Sequence, residues 1–553
     1  MGPGRRTAAP ASAIWWKHGV IYQVYPRSFQ DSDGDGIGDL PGITSRLDYL
    51  NDGTPGSLGV DAIWLSPFYP SPMADFGYDV ADYRDVHPDY GTLADFDRLV
   101  EAAHRRGVRV VIDLVPNHTS DEHPWFTDSR SSRTSAKRDW YVWHDPAPDG
   151  GPPTAWRSFF QAMGPAWTLD EPTGQYYMHS FHRKQPDLNW WNPEVRREFE
   201  AILRFWLDRG VDGFRIDVAD RTVKRRDPEA FVTPLAVVAE AAGADPDAVA
   251  IALGPPVDDV EHHALLRLWR RLLDEYDERM AVGEIASFDP RRVARYYGER
   301  LDELHLAFNF EFMRQPWSAE AFRRSADLFE SVVPAGAWPD YALSNHDTSR
   351  ARSRYDTGDG ETGRRRARVG MLMLLTLRGT PFLYQGEEIG QADGVVPQDR
   401  VVDVAGRDPE RTPMQWDASP TAGFTTGTPW LPVGAGAATG ENAAAQAGDA
   451  DSMLAFTRRA IWYRKASAAL RWGRYAPLDV GDGVFAYQRD AGEERLVVAL
   501  DFSGRSRTIT LIPGRGTVAL ATDRAREGEV VDAGSMLLPA DEGIVVRLGS
   551  EVT

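Results

Sequence analysis

The chain contains no cysteine. Disulfides and thiolate metal centres are therefore excluded, and a reducing compartment is compatible with the sequence. No apolar run reaches the roughly 18 residues that a membrane-spanning helix needs. Met1 to Ala13 carries two arginines but no apolar core of signal-peptide length, so the expected location is cytoplasmic. Positive charge is scarce: 62 Lys and Arg stand against 82 Asp and Glu, a net charge of −20. That balance disfavours nucleic acid and membrane surfaces as partners and suits a small neutral substrate. Aromatic residues, by contrast, are plentiful, with 18 Trp, 19 Tyr and 23 Phe. Their faces suit stacking on sugar rings, although most aromatic residues serve as core. At 553 residues the chain exceeds one ordinary domain, while an α/β barrel with insertions reaches beyond about 400.

Gly213-Phe-Arg-Ile-Asp-Val-Ala-Asp220 is the most informative stretch. A helix-like run from Pro193 to Arg209 precedes it, ended by Gly210, and Val211 to Ile216 reads as a short buried strand. Arg215 and Asp217 are two apart, so in a strand they share a side. A carboxylate beside a fixed guanidinium is expected to stay ionised, as a nucleophile or an electrostatic stabiliser. From these eight residues alone, a purely structural Arg–Asp pair is an equal reading.

Around this unit the chain alternates strands and helices. Strands are expected at Val20–Tyr25, Gly59–Ser66, Val108–Val115, Met280–Glu284, Leu304–Phe310, Tyr341–Asp347 and Thr380–Gln385, with helices at Leu93–Arg106, Val260–Glu278 and Arg364–Arg378. Apolar strands of this kind imply a parallel sheet covered on both faces. With polar residues at the strands' C-terminal ends, the expectation is a (β/α)8 barrel with its site on that face. Thr119 to Asn189 breaks the rhythm and reads as an inserted subdomain after the third strand. Beyond about Arg471, short strands at Val484–Arg489, Leu496–Phe502, Thr508–Ile512, Val518–Ala521 and Ile544–Leu548 imply a separate antiparallel β domain. The domains expected are thus barrel over 14–118 and 190–470, insertion over 119–189, and β domain over 471–553. Gly434 to Gly448, rich in Ala and Gly, is expected to be a flexible surface loop. Asp31-Ser-Asp-Gly-Asp-Gly-Ile-Gly-Asp39 reads as a loop able to wrap Ca²⁺ or Mg²⁺, against the alternative of an acidic solvated turn.

The strand-end set is Asp217, Glu284, Asp347, His118, His346 and Arg215. Carboxyl groups converging with histidines, without a Ser or Cys nucleophile, point to acid/base chemistry on a neutral polyol. Glu284, among Ala281, Val282 and Ile285, is the candidate acid, and Asp217 the ionised partner. In glycoside hydrolysis that division gives a retaining mechanism. A divalent-metal hydrolase is disfavoured because the histidines are single, without ligand spacing.

Asp113-Leu-Val-Pro-Asn-His118, Gly213-Phe-Arg-Ile-Asp217, Gly283-Glu284 and Ser344-Asn-His-Asp347 resemble, in order, the four signature regions of the α-amylase family of glycoside hydrolases. Gln185-Pro-Asp-Leu-Asn-Trp190, Tyr384-Gln-Gly-Glu-Glu-Ile-Gly390 and the run from Arg407 to Asp417 narrow the resemblance to the oligo-1,6-glucosidase and α-glucosidase branch. It extends from Trp15 to the C-terminal β domain. The resemblance implies that Asp217 forms a glucosyl-enzyme, Glu284 protonates the leaving oxygen, and Asp347 holds the 2- and 3-hydroxyls. It implies that His118, His346 and Arg215 bind hydroxyls and orient carboxylates. Asp75, Tyr78, Phe181, Gln185 and Arg411 match residues closing the non-reducing end in exo-acting members, and Phe160 is counted with them as substrate-binding. For Phe181 plain packing, and for Gln185 a pin for the insertion, remain open. Val218 matches a position where Val goes with α-1,6 linkages and a small hydroxyl residue with α-1,4. Asp31, Asp33, Asp35, Ile37 and Asp39 match the family's Ca²⁺/Mg²⁺ loop.

The resemblance thus implies release of glucose from short α-1,6- or α-1,4-glucosides, possible transglucosylation, and a monomer or homodimer. A sucrose- or trehalose-acting isomerase or transglucosylase is the alternative within enzymes. A transporter heavy subunit, the non-enzymatic alternative, carries a membrane helix that this sequence lacks. One region departs from the branch: Ala219 to Pro256 is unusually rich in Ala, Val and Pro, which leaves the leaving-group side least specified.

Overall fold

The structure, a computed structural model, describes residues 14–160, 163–226 and 257–549. The N-terminal stretch to Ala13 and most of the atypical segment, 227–256, lie outside the described residues.

Eight parallel strands form the central sheet: β1 (Ile21–Val24), β2 (Ala62–Leu65), β3 (Arg109–Leu114), β7 (Gly213–Ile216), β8 (Met280–Gly283), β9 (Leu306–Ala307), β10 (Asp340–Ala342) and β11 (Thr380–Tyr384). Their order is β10-β11-β1-β2-β3-β7-β8-β9. Ile21 of β1 lies opposite both Ala62 and Phe382, so the first and last strands are joined and the sheet curls into a barrel. Among the described residues no ladder joins β9 to β10. The expected sixth strand shrinks to Leu306–Ala307 because Asn309 turns the chain, its side chain accepting from the Phe312 N–H to cap the helix Phe310–Met313. The seventh likewise ends at Ala342, ahead of Ser344 to Asp347.

Period-two alternation sorts the strand residues. Ile21, Ala62, Val111, Met280, Leu306 and Phe382 form one buried apolar cluster with Trp64, Val282 and Phe308. Two residues beyond Ile21, Val111 and Gly213 on their strands stand Gln23, Asp113 and Arg215, all buried. The barrel is thus an apolar plug below and a polar layer above, at the strands' C-terminal ends, where such barrels carry their sites.

The surrounding helices start where the sequence supplies side-chain acceptors. Thr92 and Asp95 form a reciprocal capping box for Leu93–Arg105, Asn192 caps Pro193–Asp208, and Asp258 caps Asp259–Leu273, each meeting N–H groups that the first turn leaves unpaired. Helix Pro193–Asp208 buries Phe199, Ile202, Leu203 and Trp206 before Gly210, at φ 93°, reverses the chain towards β7.

Between β3 and β7 lies a three-stranded antiparallel sheet of β4 (Trp143–His144), β5 (Trp167–Asp170) and β6 (Gln175–Met178), in the order β4-β6-β5. Trp156, Ala166, Trp167, Tyr176 and Met178 give it a small apolar core of its own. The C-terminal region holds β12 (Arg474–Leu478), β13 (Val484–Ala491), β14 (Glu494–Asp501), β15 (Arg507–Ile509), β16 (Arg515–Ala521), β17 (Val530–Asp532), β18 (Met536–Leu538) and β19 (Gly543–Leu548). Six of them form the antiparallel sheet β12-β13-β14-β19-β16-β17, and β15 pairs with β18. The fold is therefore a (β/α)8 barrel with an insertion after its third strand and a C-terminal antiparallel β domain.

The expectation of a flexible loop at Gly434–Gly448 is overturned. A 3-10 turn, Ala435–Thr439, and a helix, Ala443–Ala447, occupy it. Asn442 caps that helix, and Gln446 donates 2.8 Å to the Ile389 carbonyl, which pins it to the barrel. Small residues here serve close packing, not mobility.

Candidate active site

Arg215, at the end of β7, is the hub of the polar layer. Its Nη1 donates to Asp113 Oδ1 at 2.6 Å and to Asp217 Oδ1 at 2.9 Å, and its Nη2 donates to Glu284 Oε2 at 2.5 Å. Asp113 is held in turn by the Trp64 indole N–H at 3.0 Å. The register sets Asp113 directly opposite Arg215, so one guanidinium is surrounded by three carboxyl groups from consecutive strands.

Asp217 thus has the guanidinium neighbour expected of it, but Asp113 and Glu284 share that guanidinium. Burial pushes Asp217 well above the usual carboxyl range, and the Glu284 and Asp113 carboxyls add to it, while Arg215 opposes them. Asp113 is pushed up to about 6, chiefly by burial. Asp217 and Glu284 are in hydrogen-bond contact, both held by the one Arg215 guanidinium. Two carboxyls so placed on one cavity are the pair of groups that glycoside cleavage uses as nucleophile and acid.

Asp347 lies in a cationic cradle. Arg411 Nη2 and Arg407 Nη1 donate to its Oδ1 at 2.7 and 3.0 Å, and His346 Nε2 lies 3.2 Å from its Oδ2. Although burial opposes it, these groups hold its carboxyl well below the usual range. Arg411 is fully buried and also donates to the His346 carbonyl at 2.7 Å. His346 stacks on Tyr78 with ring centroids 5.4 Å apart. Gln23 Nε2 lies 2.7 Å from its Nδ1, and Tyr78 Oη 2.7 Å from its Nε2. Burial pushes His346 down to about 3 and His118 down to about 4, so both rings are neutral at ordinary pH.

A cavity of about 210 Å³ opens between these groups. Asp217, Glu284 and Asp347 line it together with Asp75, Tyr78, His118, Phe160, Phe181, Val218 and Arg407. Phe181 meets His118 and Phe160 edge-on at 5.5 and 5.6 Å, so it is a wall residue as well as a packing one. Four expected residues stand behind the wall. Arg215, His346, Arg411 and Gln185 are fully buried and reach the cavity through others. Gln185 Nε2 donates to Asp75 Oδ2 at 2.9 Å, while its Oε1 accepts from the His182 N–H at 2.9 Å; it pins the insertion and orients Asp75 at once.

Val218 has the backbone conformation its side chain least favours. At φ 45° it is in the left-handed region, which strains a β-branched residue by about 1–3 kcal/mol. The turn aims its N–H at Glu284 Oε2, 3.1 Å away. Its side chain meanwhile faces the cavity, so one strained residue both holds Glu284 and shapes the wall.

Arg407 was missed by the sequence reading. Besides Asp347 it donates to Asp75 Oδ1 and Asp403 Oδ1, both at 2.6 Å, and its guanidinium lies 5.2 Å over the Phe160 ring. The available signal was its spacing four residues before Arg411, across the 3-10 turn Pro409–Arg411.

In the acidic loop, carboxylate oxygens of Asp31, Asp33 and Asp39 lie within 4.8 Å of one another. Asp35 stands outside this group, its Oδ1 accepting from the Ile37 N–H at 2.7 Å. Asp31 is partly engaged already, with Oδ1 accepting from Asp33 and Gly34 and Oδ2 from Gly36. Thr425 also donates to Oδ2, so both Asp31 oxygens already accept two hydrogen bonds and a cation would have to share or displace these donors; three converging carboxylates are the ligand type a hard cation takes.

Residues 23–473 match the family described as alpha amylase, catalytic domain. The chain is 39% identical over 538 residues to an oligo-1,6-glucosidase of Parageobacillus thermoglucosidasius, covering 90% of this chain and 92% of that one. It is 42% identical over 515 residues to a probable alpha-glucosidase of Rhizobium meliloti (strain 1021), covering 89% and 90%. Among solved structures, the alpha-glucosyl transfer enzyme XgtA superposes with a TM-score of 0.88 at 38% identity, covering 97% of this chain and 100% of that one.

Proposed function

Because this chain belongs to the α-amylase family of glycoside hydrolases, we propose that it is an exo-acting, retaining α-glucosidase releasing glucose from the non-reducing end of short α-glucosides. The observation that carries the exo reading is the continuous ion-paired wall Asp75–Arg407–Asp347 on the same cavity that Asp217 and Glu284 line. Such a wall admits a chain end and blocks a polymer from passing through. In the reaction, Asp217 attacks the anomeric carbon as Glu284 gives its proton to the leaving oxygen, forming a glucosyl ester. Glu284, now a carboxylate, takes a proton from water, which attacks the same carbon and frees Asp217. Asp347, kept ionised by Arg411 and Arg407, accepts hydrogen bonds from ring hydroxyls and offsets the positive charge of the transition state. His118, neutral and on the cavity wall, is placed to contact the bound glucosyl unit.

Likeness to an alpha-glucosyl transfer enzyme favours a second outcome of the same intermediate, transfer to a sugar in place of water. Asp31, Asp33 and Asp39 would hold a Ca²⁺ or Mg²⁺ ion whose charge offsets their mutual repulsion. The test is incubation with maltose, isomaltose, sucrose and trehalose, with products followed by chromatography and early ¹H NMR. α-Glucose is expected first, and longer glucosides only at high substrate concentration. First release of β-glucose, or cleavage within longer chains, contradicts the reading.

A further inference from the structure

Lys224 has no part in the chemistry above, yet its ammonium is buried beneath the site. It lies 3.1 Å from Asp187 Oδ2 and donates to Asn117 Oδ1. Asn117 immediately precedes His118, and its Nδ2 lies 3.2 Å from Asp187 Oδ1 and 3.0 Å from His118 Nδ1. An ammonium only donates, and an ionised carboxylate only accepts. The pair therefore sets the amide one way round: oxygen to Lys224, nitrogen to Asp187 and His118.

That orientation reaches the cavity. A neutral imidazole carries one proton, on either nitrogen. Three groups face the His118 ring: the Asn117 amide N–H at Nδ1, and at Nε2 the Tyr78 carbonyl, 3.1 Å away, and Gln185 Nε2, 3.0 Å away. With the proton on Nε2, Nδ1 accepts from Asn117 and Nε2 donates to Tyr78, and only the Gln185 contact is unmatched. With the proton on Nδ1, donor faces donor at Asn117 and acceptor faces acceptor at Tyr78. A reversed Asn117 amide would make the second state the better one. We propose that Lys224 is a positioning residue that, through Asn117, locks the proton of His118 on Nε2, the nitrogen on the Tyr78 and Gln185 side of the ring. The inference rests on the reading of His118 as a contact of the bound glucosyl unit. It gives the region after the nucleophile a function beyond shaping the leaving-group side.

The test is ¹⁵N NMR of histidine-labelled protein, with the His118 signals identified among the 12 histidines by their loss in His118→Asn. The wild type should show a protonated Nε2 and an unprotonated Nδ1. Asn117→Asp presents only acceptors to the ring and should move the proton to Nδ1; it also serves if Lys224→Met does not fold. Lys224→Met should give a mixture of the two states and lower kcat/KM for a short α-glucoside about tenfold, while Lys224→Arg recovers most of it. A wild-type proton on Nδ1, or ring shifts unmoved in both variants, overturns the proposal. So does a Lys224→Met protein that melts lower yet keeps its ring state and kcat/KM, since Lys224 would then be an ion pair and nothing more. A wild type inactive on every glucoside would overturn the functional reading, while the ring shifts would still decide where the proton resides.

Discussion

At the scale of residues, two side chains at β7 combine tasks that ordinarily conflict. Arg215 spreads one charge over three carboxyls, which holds Asp217 and Glu284 side by side on the same guanidinium. Val218 accepts a strained backbone, which directs its N–H to Glu284 and its side chain to the cavity. An apolar wall offers no hydrogen bond to a 1,4-linked sugar, and one such contact is worth about 10- to 200-fold in specificity. Val218→Thr keeps the β-branch, and with it the same backbone strain, so its effect should be confined to the wall. It should move the isomaltose-to-maltose ratio of kcat/KM towards maltose by about tenfold or more; an unmoved ratio removes Val218 as selector. Asp217, Glu284 and Asp347 were legible because each is a charge just past an apolar strand. Arg407 was not, because it lies in an irregular loop where no periodicity marks which way a side chain faces. The sharing of Arg215 was hidden for a related reason: a sequence shows its Asp217 neighbour, but not that Asp113 and Glu284 compete for it.

At the scale of elements, the acidic loop is held by more than its carboxylates. Gly36, at φ 96°, lies so close to Thr428 that an added Cβ would come within 1.9 Å of its carbonyl oxygen. Thr425 hydrogen-bonds Asp31 Oδ2, so the loop is clamped to the segment beyond the eighth strand. A cation bound there would tie two distant pieces of chain and stabilise the fold by mass action. Chelation should lower the melting temperature and leave initial rates at low temperature nearly unchanged; no shift in melting, with no metal in the protein by mass spectrometry, would show that the loop binds none. Alternating glycines and aspartates made this turn legible. Strands β9 and β10 were drawn too long, because their ends are set by caps and turns, such as Asn309, that interrupt an apolar run without changing its composition.

At the scale of the whole molecule, a buried arginine, Arg489, joins the β domain to the barrel, and a second, Arg464, secures the same helix end from within the barrel. Arg489 of β13 donates to the carbonyls of Thr376, Leu470 and Gly473, and Arg464 to those of Leu375 and Gly379. Both meet carbonyls at or just beyond the end of helix Glu361–Thr376, which the helix itself leaves unpaired. Burial pushes Arg489 down to about 10, the mark of a charge kept out of water for the hydrogen bonds it makes. Arg489→Met leaves three carbonyls without a donor and should cost about 3 kcal/mol, read as a lower unfolding midpoint with kcat/KM unchanged; an unchanged midpoint would show that the junction does not depend on it. Alternation of strands and helices made the two domains legible, whereas Arg464 and Arg489 read as ordinary charges until packing buried them. The proposed reaction requires the Asp217 carboxylate to form a covalent glucosyl ester. The most direct measurement is mass spectrometry of the Glu284→Gln protein after reaction with a fluorinated α-glucosyl fluoride, which needs no acid to leave. One added fluoroglucosyl unit on the peptide carrying Asp217 is expected. A label on any other peptide, or none from a reagent that is nevertheless turned over to the β-anomer, would contradict it.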